Sequence, residues 1–330
     1  MNRPPLLSIT VPPPLPFLAL AGPTGVGKSA VALALAPRLN AEIVVADSMQ
    51  VYRGFDVGTG KPTAGERAAL PHHGLDLVEA AAGFDAAAFR AAALAAGVAI
   101  RARGRLPLVV AGTGLYLRAL RQGLCEVPAP DPTLRLRLRT EARRLGTAAL
   151  HARLTAADPE AAARLSPNDR ARVLRALEVL EQTGIPLSRL QADHRRTRGA
   201  PVGLVVGLTR DRADLYRRIA ARVQAMVAAG LEQEVRGLLA RGSGGTRPMR
   251  GLGYRHFVPV ARGDRSAAEA IRLMERDTRR YAKRQLTWFR REPGIVWLRL
   301  APTESPATTA ERILARLAGR VTDEAASWSA

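Results

Sequence analysis

An uninterrupted phosphate-binding motif of the form G-x-x-x-x-G-K-[ST] stands near the start of the chain. It consists of Gly22, Pro23, Thr24, Gly25, Val26, Gly27, Lys28 and Ser29, hereafter the phosphate loop. Glycines let the backbone curl so that successive N–H groups point at phosphate oxygens, and the lysine adds a compact charge. The Ser29 hydroxyl is suited to hold Mg²⁺. These residue types predict a polyphosphate site without specifying the polyphosphate.

The segments beside the phosphate loop are of the kind that such a loop needs. Apolar residues 17–21 predict a buried strand leading in, and residues 30–39 predict a helix leading out. The N-terminus of a helix carries unpaired N–H groups and a positive dipole end, so it favours an anion. The motif together with these elements is therefore a strong signal.

Polar residues follow the next predicted strand, residues 42–46. They are Asp47, Ser48, Met49 and Gln50. Because the carboxyl ends of parallel strands meet at one edge of a sheet, we expect Asp47 near the phosphate loop. Three roles remain open for it: a Mg²⁺ ligand, a general base, or a cap for the following turn. The amide of Gln50 is suited to an adenine edge.

Thr113 follows another predicted strand, residues 106–111, and stands between two glycines. Its hydroxyl would face the same edge as Thr24, although it could equally cap a helix over residues 115–121. The adjacent pair His72 and His73 points to opposite sides and has no third ligand in register. Structural hydrogen bonding is favoured over a metal site there.

Strands that alternate with helices predict an α/β fold, a phosphate-loop-containing parallel sheet flanked by helices. Further strands are predicted at residues 202–208 and 296–298, with helices over 84–103, 211–240 and 265–291. The helical residues 133–183 lie between two breaks rich in proline and glycine, 125–132 and 184–201. The expected domains are a core of 17–122 and 201–300, an all-helical insertion domain at 123–200, a disordered proline-rich leader at 1–16, and a weakly specified C-terminal tail at 301–330.

The positive charge is concentrated in one part of the chain. The net charge is +21, and residues 131–300 carry 35 basic against 17 acidic side chains. Such a surface suits a polyanion much larger than one cofactor. The single cysteine, Cys125, excludes an internal disulfide and fits the reducing cytoplasm. No apolar run approaches the ~20 residues of a membrane span, so no membrane association is expected.

Lysine is rare in this chain. Of its 50 basic residues only three are lysines: Lys28, Lys61 and Lys283. Lys28 belongs to the phosphate loop, where a compact ammonium fits and a planar guanidinium fits poorly. By the same argument, Lys61 and Lys283 are candidate positions at which arginine cannot substitute.

A second basic segment combines cations with aromatic rings. As a helix, residues 276–291 would place Arg276, Arg280, Lys283, Arg284, Thr287 and Arg291 along one face, with Tyr281 and Trp288 seven residues apart. This pattern suits phosphate contacts and base stacking. The alternative is a solvated cationic helix whose aromatic residues enter the core. Residues 250–255 are expected to form another short basic loop, whose glycines would let backbone approach a ligand closely.

Taken together, the chain resembles the bacterial tRNA dimethylallyltransferases over residues 17 to about 299. DSMQVY with GTGKP, and KRQLTWFR, are much more specific than the phosphate loop. The segments that carry the resemblance are GPTGVGKS (22–29), DSMQVYRGFDVGTGKPT (47–63), HHGLDLV (72–78), GTGLYLRAL (112–120), NDRARVLRALEV (168–179), DRADLYRRI (211–219), RGLGYR (250–255) and YAKRQLTWFRR (281–291).

The resemblance implies transfer of a dimethylallyl group from dimethylallyl diphosphate to N6 of adenosine 37, in tRNAs that read codons beginning with U. Asp47 would be the general base, and the phosphate loop with Mg²⁺ at Ser29 would stabilise the leaving diphosphate. Thr24 would donate to a phosphate oxygen, Arg218 would reach the diphosphate from the far side, and Thr113 would line the reaction channel. A monomer is expected.

The resemblance also implies contacts with the anticodon stem-loop of tRNA. An adenine stacked in that loop must be flipped out to react. The residues expected to contact the tRNA are Asp47, Ser48, Met49, Gln50, Arg172, Arg175, Arg250, Gly253, Tyr254, Arg255, Lys283, Arg284, Gln285, Trp288 and Arg290.

Three other functions fit part of the sequence. A small-molecule kinase shares the phosphate loop and the following aspartate, but it leaves the basic region 131–300 unexplained. A prenyltransferase acting on free adenine nucleotide would need neither the insertion nor the basic helix. A non-catalytic RNA-binding module with a vestigial phosphate loop is the third alternative.

Overall fold

The computed structural model describes residues 17–197 and 203–328, and it confirms the predicted α/β fold. The expected leader, residues 1–16, lies outside the described residues. Six parallel strands form one sheet in the order β3-β2-β4-β1-β5-β6. They are β1 (Leu18–Ala21), β2 (Ala41–Ala46), β3 (His72–His73), β4 (Leu106–Ala111), β5 (Leu204–Arg210) and β6 (Ile295–Leu300).

Fourteen helices accompany the sheet in the described residues. They are α1 (Lys28–Leu35), α2 (Ala64–Ala69), α3 (Ala86–Ala102), α4 (Gly114–Gln122), α5 (Pro132–Leu145), α6 (Thr147–Ala157), α7 (Pro159–Arg164), α8 (Arg170–Thr183), α9 (Leu187–Thr197), α10 (Arg212–Ala228), α11 (Leu231–Ala240), α12 (Leu252–Ala261), α13 (Ala267–Arg290) and α14 (Pro306–Trp328). None of the helices in the described ranges is long and apolar enough to cross a membrane.

Both faces of the sheet are covered, which explains why its strands are continuous apolar runs. Leu18 and Leu20 of β1 enter the core on the α1 side, whereas Ala19 and Ala21 enter the core on the opposite side. The parallel register then aligns the strand ends, because Ala111 of β4 pairs with both Ala21 and Ala46. The residues that follow β1, β2 and β4 therefore start side by side.

The chain divides into two compact units. One combines Met1–Arg121 with Pro201–Ala330, and the other is Gln122–Ala200. In its described part the second unit contains helices and no strand, and its core includes Leu138, Leu154, Val173 and Leu177. The break predicted at 184–201 is wrong for residues 187–197, which form α9. Gly184 and Pro186 precede that helix and so do not interrupt it.

Two further predictions of irregular structure are wrong. The expected tail contains α14, which packs against α1 and buries Ala310 and Ile313 in the core on that side of the sheet. Residues 252–255, expected in a loop, begin α12. In both places an amphipathic helix gains its stability from tertiary packing, which a short sequence window does not reveal.

Candidate active site

The phosphate loop joins the end of β1 to the start of α1. Gly22, Gly25 and Gly27 have φ angles of +148°, +82° and +112°, which favour glycine. A Cβ atom at Gly22 would also lie 2.6 Å from the carbonyl oxygen of Leu208. Gly25 and Gly27 thus allow a positive φ angle, and Gly22 allows both a positive φ angle and a close approach of the backbone to β5.

Lys28 is the first residue of α1, and its ammonium bends back over the phosphate loop. Its Nζ donates to the carbonyl oxygens of Gly22 (2.8 Å) and Pro23 (3.0 Å). Burial lowers the pKa of Lys28 to about 8, while the Asp47 carboxylate opposes the shift and Arg222 adds to it. A phosphate group here would gain a desolvated cation whose attraction is stronger than that of an exposed lysine.

A cavity of about 550 Å³ opens beside the phosphate loop at the carboxyl edge of the sheet. Its lining combines donors from the loop with cations and an acid from other elements. These residues include Thr24, Lys28, Ser29, Asp47, Gln50, Arg218, Arg222, Tyr281 and Gln285. The cavity therefore brings the predicted diphosphate site and the predicted base into one space.

Asp47 has two functions that its carboxylate can perform at once. Its Oδ1 accepts a hydrogen bond from the backbone N–H of Met49 at 2.8 Å, which caps the turn after β2. Its Oδ2 faces Gly112, because a Cβ atom there would lie 3.2 Å from it. Capping and chemistry were alternatives for Asp47 in the sequence, but the two oxygens make them compatible.

Thr113 and Gln50 bind backbone in this structure. The Thr113 Oγ1 accepts from the N–H of Ser48 at 3.0 Å, so the hydroxyl holds the turn that carries Asp47. The Gln50 amide donates to the carbonyl oxygens of Thr59 and Gly60, both at 3.1 Å. The donor end of this amide is thus engaged by the protein, and the predicted contact with an adenine edge stays a prediction.

Gln285 of α13 is buried and connects two loops of the site. Its Oε1 accepts from the N–H of Thr24 at 2.9 Å, and its Nε2 donates to the carbonyl oxygen of Gly112 at 2.7 Å. The predicted role was contact with tRNA. In this structure both ends of the amide hold the phosphate loop and the turn after β4, and the contact with tRNA stays a prediction.

Two arginines of α10 reach the cavity. Arg218, which was predicted, donates from Nε to the carbonyl oxygen of Gly25 at 3.1 Å. Arg222, which was missed, donates to the carbonyl oxygen of Thr59 at 3.2 Å. Burial lowers the pKa of both side chains. The i, i+4 spacing of two arginines on one helix was the signal that could have identified Arg222.

Lys61 shows a structural reason for its being lysine. Its side chain is 1% exposed, and Nζ donates to the Tyr52 carbonyl oxygen (2.6 Å), Asp56 (2.7 Å) and Asp76 (2.5 Å). A compact ammonium with three donors can satisfy three convergent acceptors, whereas a planar guanidinium cannot. The charge is thus neutralised within the loop that carries it, although Lys61 also lines the cavity.

Most basic residues of α13 are exposed, whereas its aromatic residues are at least partly buried. Lys283, Arg284 and Arg290 are exposed. Trp288 packs so closely on Gly114 that a Cβ atom there would lie 2.1 Å from its ring, and the Arg118 guanidinium carbon is 4.5 Å from its centroid. The exposed basic side chains can therefore contact a polyanion, whereas the Trp288 indole packs against other residues of the protein.

Residues 250–255 divide in the same way. Arg250 is exposed, whereas Tyr254 is 1% exposed and donates from its hydroxyl to Glu234 at 2.6 Å. Arg255 pairs with Asp277 at 2.6 Å. Gly253 and Tyr254, which were predicted to contact tRNA, are both buried in this structure, and the contact stays a prediction.

The two arginines predicted from the second unit have acidic partners, one at the N-cap of α8 and one within that helix. Arg172 pairs with Asp169 at 2.9 Å and remains exposed. Arg175 pairs with Glu178 at 3.0 Å and also donates to the carbonyl oxygen of Pro128 at 2.8 Å. Arg172 therefore presents its charge to solvent, and Arg175 ties α8 to the segment before α5.

Oxygen donors suited to Mg²⁺ occur in the cavity, although no cluster of three or more His, Cys, Asp or Glu occurs among the described residues. The exposed Ser29 hydroxyl and the Asp47 carboxylate both line it, and Mg²⁺ prefers one or two protein oxygens completed by phosphate and water. His72 and His73 are engaged elsewhere, with the Leu70 carbonyl oxygen and Glu42.

The fold and the cavity define a parallel α/β protein whose phosphate-binding motif lies beside a carboxylate and two arginines. A family model described as IPP transferase matches residues 50–292, so the chain belongs to the IPP transferase family. The tRNA dimethylallyltransferase of Anaeromyxobacter sp. (strain Fw109-5) is 52% identical over 282 residues, which are 86% of this chain and 94% of the relative.

Solved structures give the same assignment. The tRNA isopentenylpyrophosphate transferase from Bacillus halodurans is 36% identical with a TM-score of 0.69, and the match covers 96% of this chain and 100% of that one. A eukaryotic dimethylallyltransferase acting on tRNA is 25% identical with a TM-score of 0.78, and the match covers 93% of this chain and 79% of that one. The family resemblance stated from the sequence is thus confirmed.

Proposed function

We propose that this protein transfers a dimethylallyl group from dimethylallyl diphosphate to N6 of the adenosine beside the anticodon of tRNA, with release of diphosphate. The observation that carries the proposal is that the phosphate loop and the Asp47 carboxylate open onto one cavity. Relatives named tRNA dimethylallyltransferase, 52% identical to this chain, support the same reaction.

The chemistry follows from the Asp47 carboxylate and the phosphate loop, which line the same cavity. An exocyclic adenine amine is a weak nucleophile because its lone pair is delocalised into the ring. As the new N–C bond forms, Asp47 takes the amine proton, and the allylic C–O bond breaks with its electron pair leaving on the diphosphate. Lys28, Arg218 and Arg222 line the cavity and would stabilise the negative charge that develops there.

The Ser29 hydroxyl, which lines the cavity, is where Mg²⁺ would be held. There it would add positive charge beside the diphosphate. Thr24 lines the cavity and offers its hydroxyl to a phosphate oxygen. Thr113 acts differently in this proposal, because its hydroxyl holds the Ser48 N–H and so fixes the turn that presents Asp47.

The exposed basic side chains are the proposed contacts with the anticodon stem-loop. Lys283, Arg284 and Arg290 of α13, Arg250, and Arg172 of the second unit are all exposed. Their positive charges suit phosphate contacts that would hold the RNA while the adenine leaves its stack. A monomeric state and a cytoplasmic location stay predictions of the sequence.

The test is mass analysis of tRNA after incubation with the protein, Mg²⁺ and dimethylallyl diphosphate. A five-carbon adduct on one adenosine is the expected product. ATP turnover without prenyl transfer would indicate a kinase, and a preference for AMP over tRNA would indicate an enzyme of free nucleotides. Full activity of Asp47→Ala would exclude Asp47 as the base, whereas RNA binding without any transfer by the parent protein would indicate a non-catalytic RNA-binding module.

A further inference from the structure

The carboxylate of Glu234, in α11, accepts four hydrogen bonds. Its Oε2 accepts from the backbone N–H groups of Asp56 (2.9 Å) and Val57 (2.8 Å). Its Oε1 accepts from the N–H of Gly58 (3.1 Å) and from the Tyr254 hydroxyl (2.6 Å). Successive N–H groups that converge on an anion are a strong local restraint, because hydrogen bonds to a charged acceptor exceed those to a neutral one.

The loop that Glu234 binds, residues 56–60, is also tightly packed against its neighbours. A Cβ atom at Gly58 would lie 2.6 Å from the Tyr254 ring and 2.9 Å from Leu231. A Cβ atom at Gly253 would lie 3.0 Å from the Gly58 carbonyl oxygen. The 56–60 loop thus packs against Gly253 and Tyr254, and the hydrogen bonds to Glu234 fix it in that position.

The far end of the 56–60 loop faces the cavity. The Thr59 carbonyl oxygen accepts from both Gln50 (3.1 Å) and Arg222 (3.2 Å), and the Gly60 carbonyl oxygen accepts from Gln50 (3.1 Å). All four residues line the cavity with Asp47. The position of the Gln50 amide and of the Arg222 guanidinium therefore depends on where the loop places two carbonyl oxygens.

We propose that Glu234 is a positioning residue for the transfer reaction, acting through the 56–60 loop on Gln50 and Arg222. This inference rests on the proposed function for its kinetic consequence, but its structural consequence can be measured separately. Among the described residues Glu234 does not line the cavity and contacts the loop through the N–H groups of residues 56–58, so its effect must pass through the loop backbone.

The experiment compares Glu234→Gln with Glu232→Gln in the full chain. Glutamine is similar in size, but its amide nitrogen cannot accept from the loop N–H groups. Glu232 is on the same helix and pairs with Arg236, without a hydrogen bond to the 56–60 loop in the described residues. Amide hydrogen exchange of residues 56–58 and kcat/KM with dimethylallyl diphosphate and tRNA are measured for both variants.

For Glu234→Gln we expect at least tenfold faster exchange at residues 56–58 and at least tenfold lower kcat/KM, whereas Glu232→Gln stays within twofold of the parent on both measures. In a background of Gln50→Ala combined with Arg222→Ala, the kinetic loss from Glu234→Gln should shrink below threefold, because both residues through which Glu234 acts are then absent. A loss of equal size in both backgrounds, or unchanged exchange, would overturn the inference.

If Glu234→Gln fails to fold, Tyr254→Phe provides the same test with one donor removed. It should speed exchange at Gly58 more than at the strand amides, and equal acceleration at both would contradict a local role. Wild-type protein that transfers no prenyl group would refute the proposed function alone, since the exchange measurement on Glu234 does not depend on turnover.

Discussion

The Gln285 side chain accepts a hydrogen bond from the backbone N–H of Thr24 at 2.9 Å, across 261 residues of sequence. Its other end donates to the Gly112 carbonyl oxygen at 2.7 Å. A single buried amide therefore couples α13, which carries the exposed basic face, to the phosphate loop and to the end of β4.

The Asp47→Asn variant separates the two functions of this side chain. Its Oδ1 can still accept from the Met49 N–H, so the turn after β2 should keep its form. The amide cannot take a proton from the adenine amine, and we expect the single-turnover transfer rate to fall by about 10²- to 10⁴-fold. Diphosphate binding should change little. A rate within threefold of the parent would exclude Asp47 as the base.

The lowered pKa of Lys28, about 8, predicts a pH-dependent affinity for inorganic pyrophosphate. A free lysine keeps its proton to about pH 10, but here the charge that attracts the anion is lost as the pH rises through 8. From pH 7 to pH 9 the affinity of the parent relative to Lys28→Ala should therefore fall about tenfold. Titration calorimetry at both pH values measures this ratio.

Taking the ratio to Lys28→Ala cancels the ionisation of pyrophosphate itself, which affects both proteins alike. A ratio that stays constant between the two pH values would mean that Lys28 keeps its proton when no anion is bound.

The lowered pKa of Lys28 also affects the free energy of unfolding. Because the folded protein binds this proton less tightly than the unfolded chain, the Lys28 contribution to stability should rise with pH between about 8 and 10.

The local part of this site could be predicted from the sequence. Buried strands of a parallel sheet are continuous apolar runs, so β1, β2 and β4 and the residues that follow them could be located. The position of Asp47 beside the phosphate loop then follows from the parallel topology. Strand β3 could not be found in this way, since two residues carry no periodic signal.

The roles of several polar residues could not be predicted, because they depend on contacts between distant segments. Gln285 and Lys283 stand two residues apart on α13, yet the first is buried against the phosphate loop and the second is exposed. Tyr254 in a glycine-rich basic segment looks like a ligand contact until its ring is found beneath Gly58. Residue type and spacing do not distinguish a packing residue from a ligand contact at these positions, and tertiary packing decides between the two.

The Gly60→Ala variant tests the wall of the cavity opposite the phosphate loop. Gly60 has φ = +64°, and a Cβ atom would lie 2.1 Å from a terminal nitrogen of Arg222. The guanidinium must move, and loss of one charge-assisted hydrogen bond of about 1.5–3 kcal/mol corresponds to about 10- to 100-fold in kcat/KM for dimethylallyl diphosphate. Steady-state kinetics with saturating tRNA measures it.

Gly65→Ala is the matched control for that change. A Cβ atom at Gly65 meets nothing within 4 Å, and the residue lies in α2. Alanine there should leave the kinetics unchanged and add up to about 0.5–1 kcal/mol of stability. Equal kinetic effects of the two variants would show that displacement of Arg222 is not the cause.

The Lys61→Met variant should be strongly destabilised. Its removal leaves the Tyr52 carbonyl oxygen and the partly exposed carboxylates of Asp56 and Asp76 without their shared donor, and each lost hydrogen bond to a charged group costs about 1.5–3 kcal/mol. Lys61→Arg should also lose stability, since the larger guanidinium cannot occupy the same volume. Urea denaturation gives the free energy of unfolding, and a loss below about 0.5 kcal/mol for Lys61→Arg would contradict the packing argument.

The pH dependence of this loss can also be predicted. Burial alone would raise the pKa of Asp76, but hydrogen bonds from Lys61 and Arg67 outweigh it, and the pKa is lowered. The stabilisation is complete above the ordinary aspartate pKa of about 4 and is lost as the pH falls further. The difference in unfolding free energy between the parent and Lys61→Met should therefore narrow in acid.

The exposed basic face of α13 predicts a salt-dependent affinity for RNA. Lys283→Ala combined with Arg284→Ala removes two exposed charges, whereas Arg101→Ala removes an exposed charge of α3 that the proposal places outside the RNA contacts. Each lost phosphate contact should reduce the slope of log K against log salt by about 0.7–0.9. Binding of an anticodon stem-loop at several salt concentrations, followed by fluorescence anisotropy, measures both slopes. The double variant should lose about 1.4–1.8 in slope and Arg101→Ala nothing. Equal slopes for all three proteins would mean that α13 contributes no phosphate contacts and that the tRNA is held by another surface.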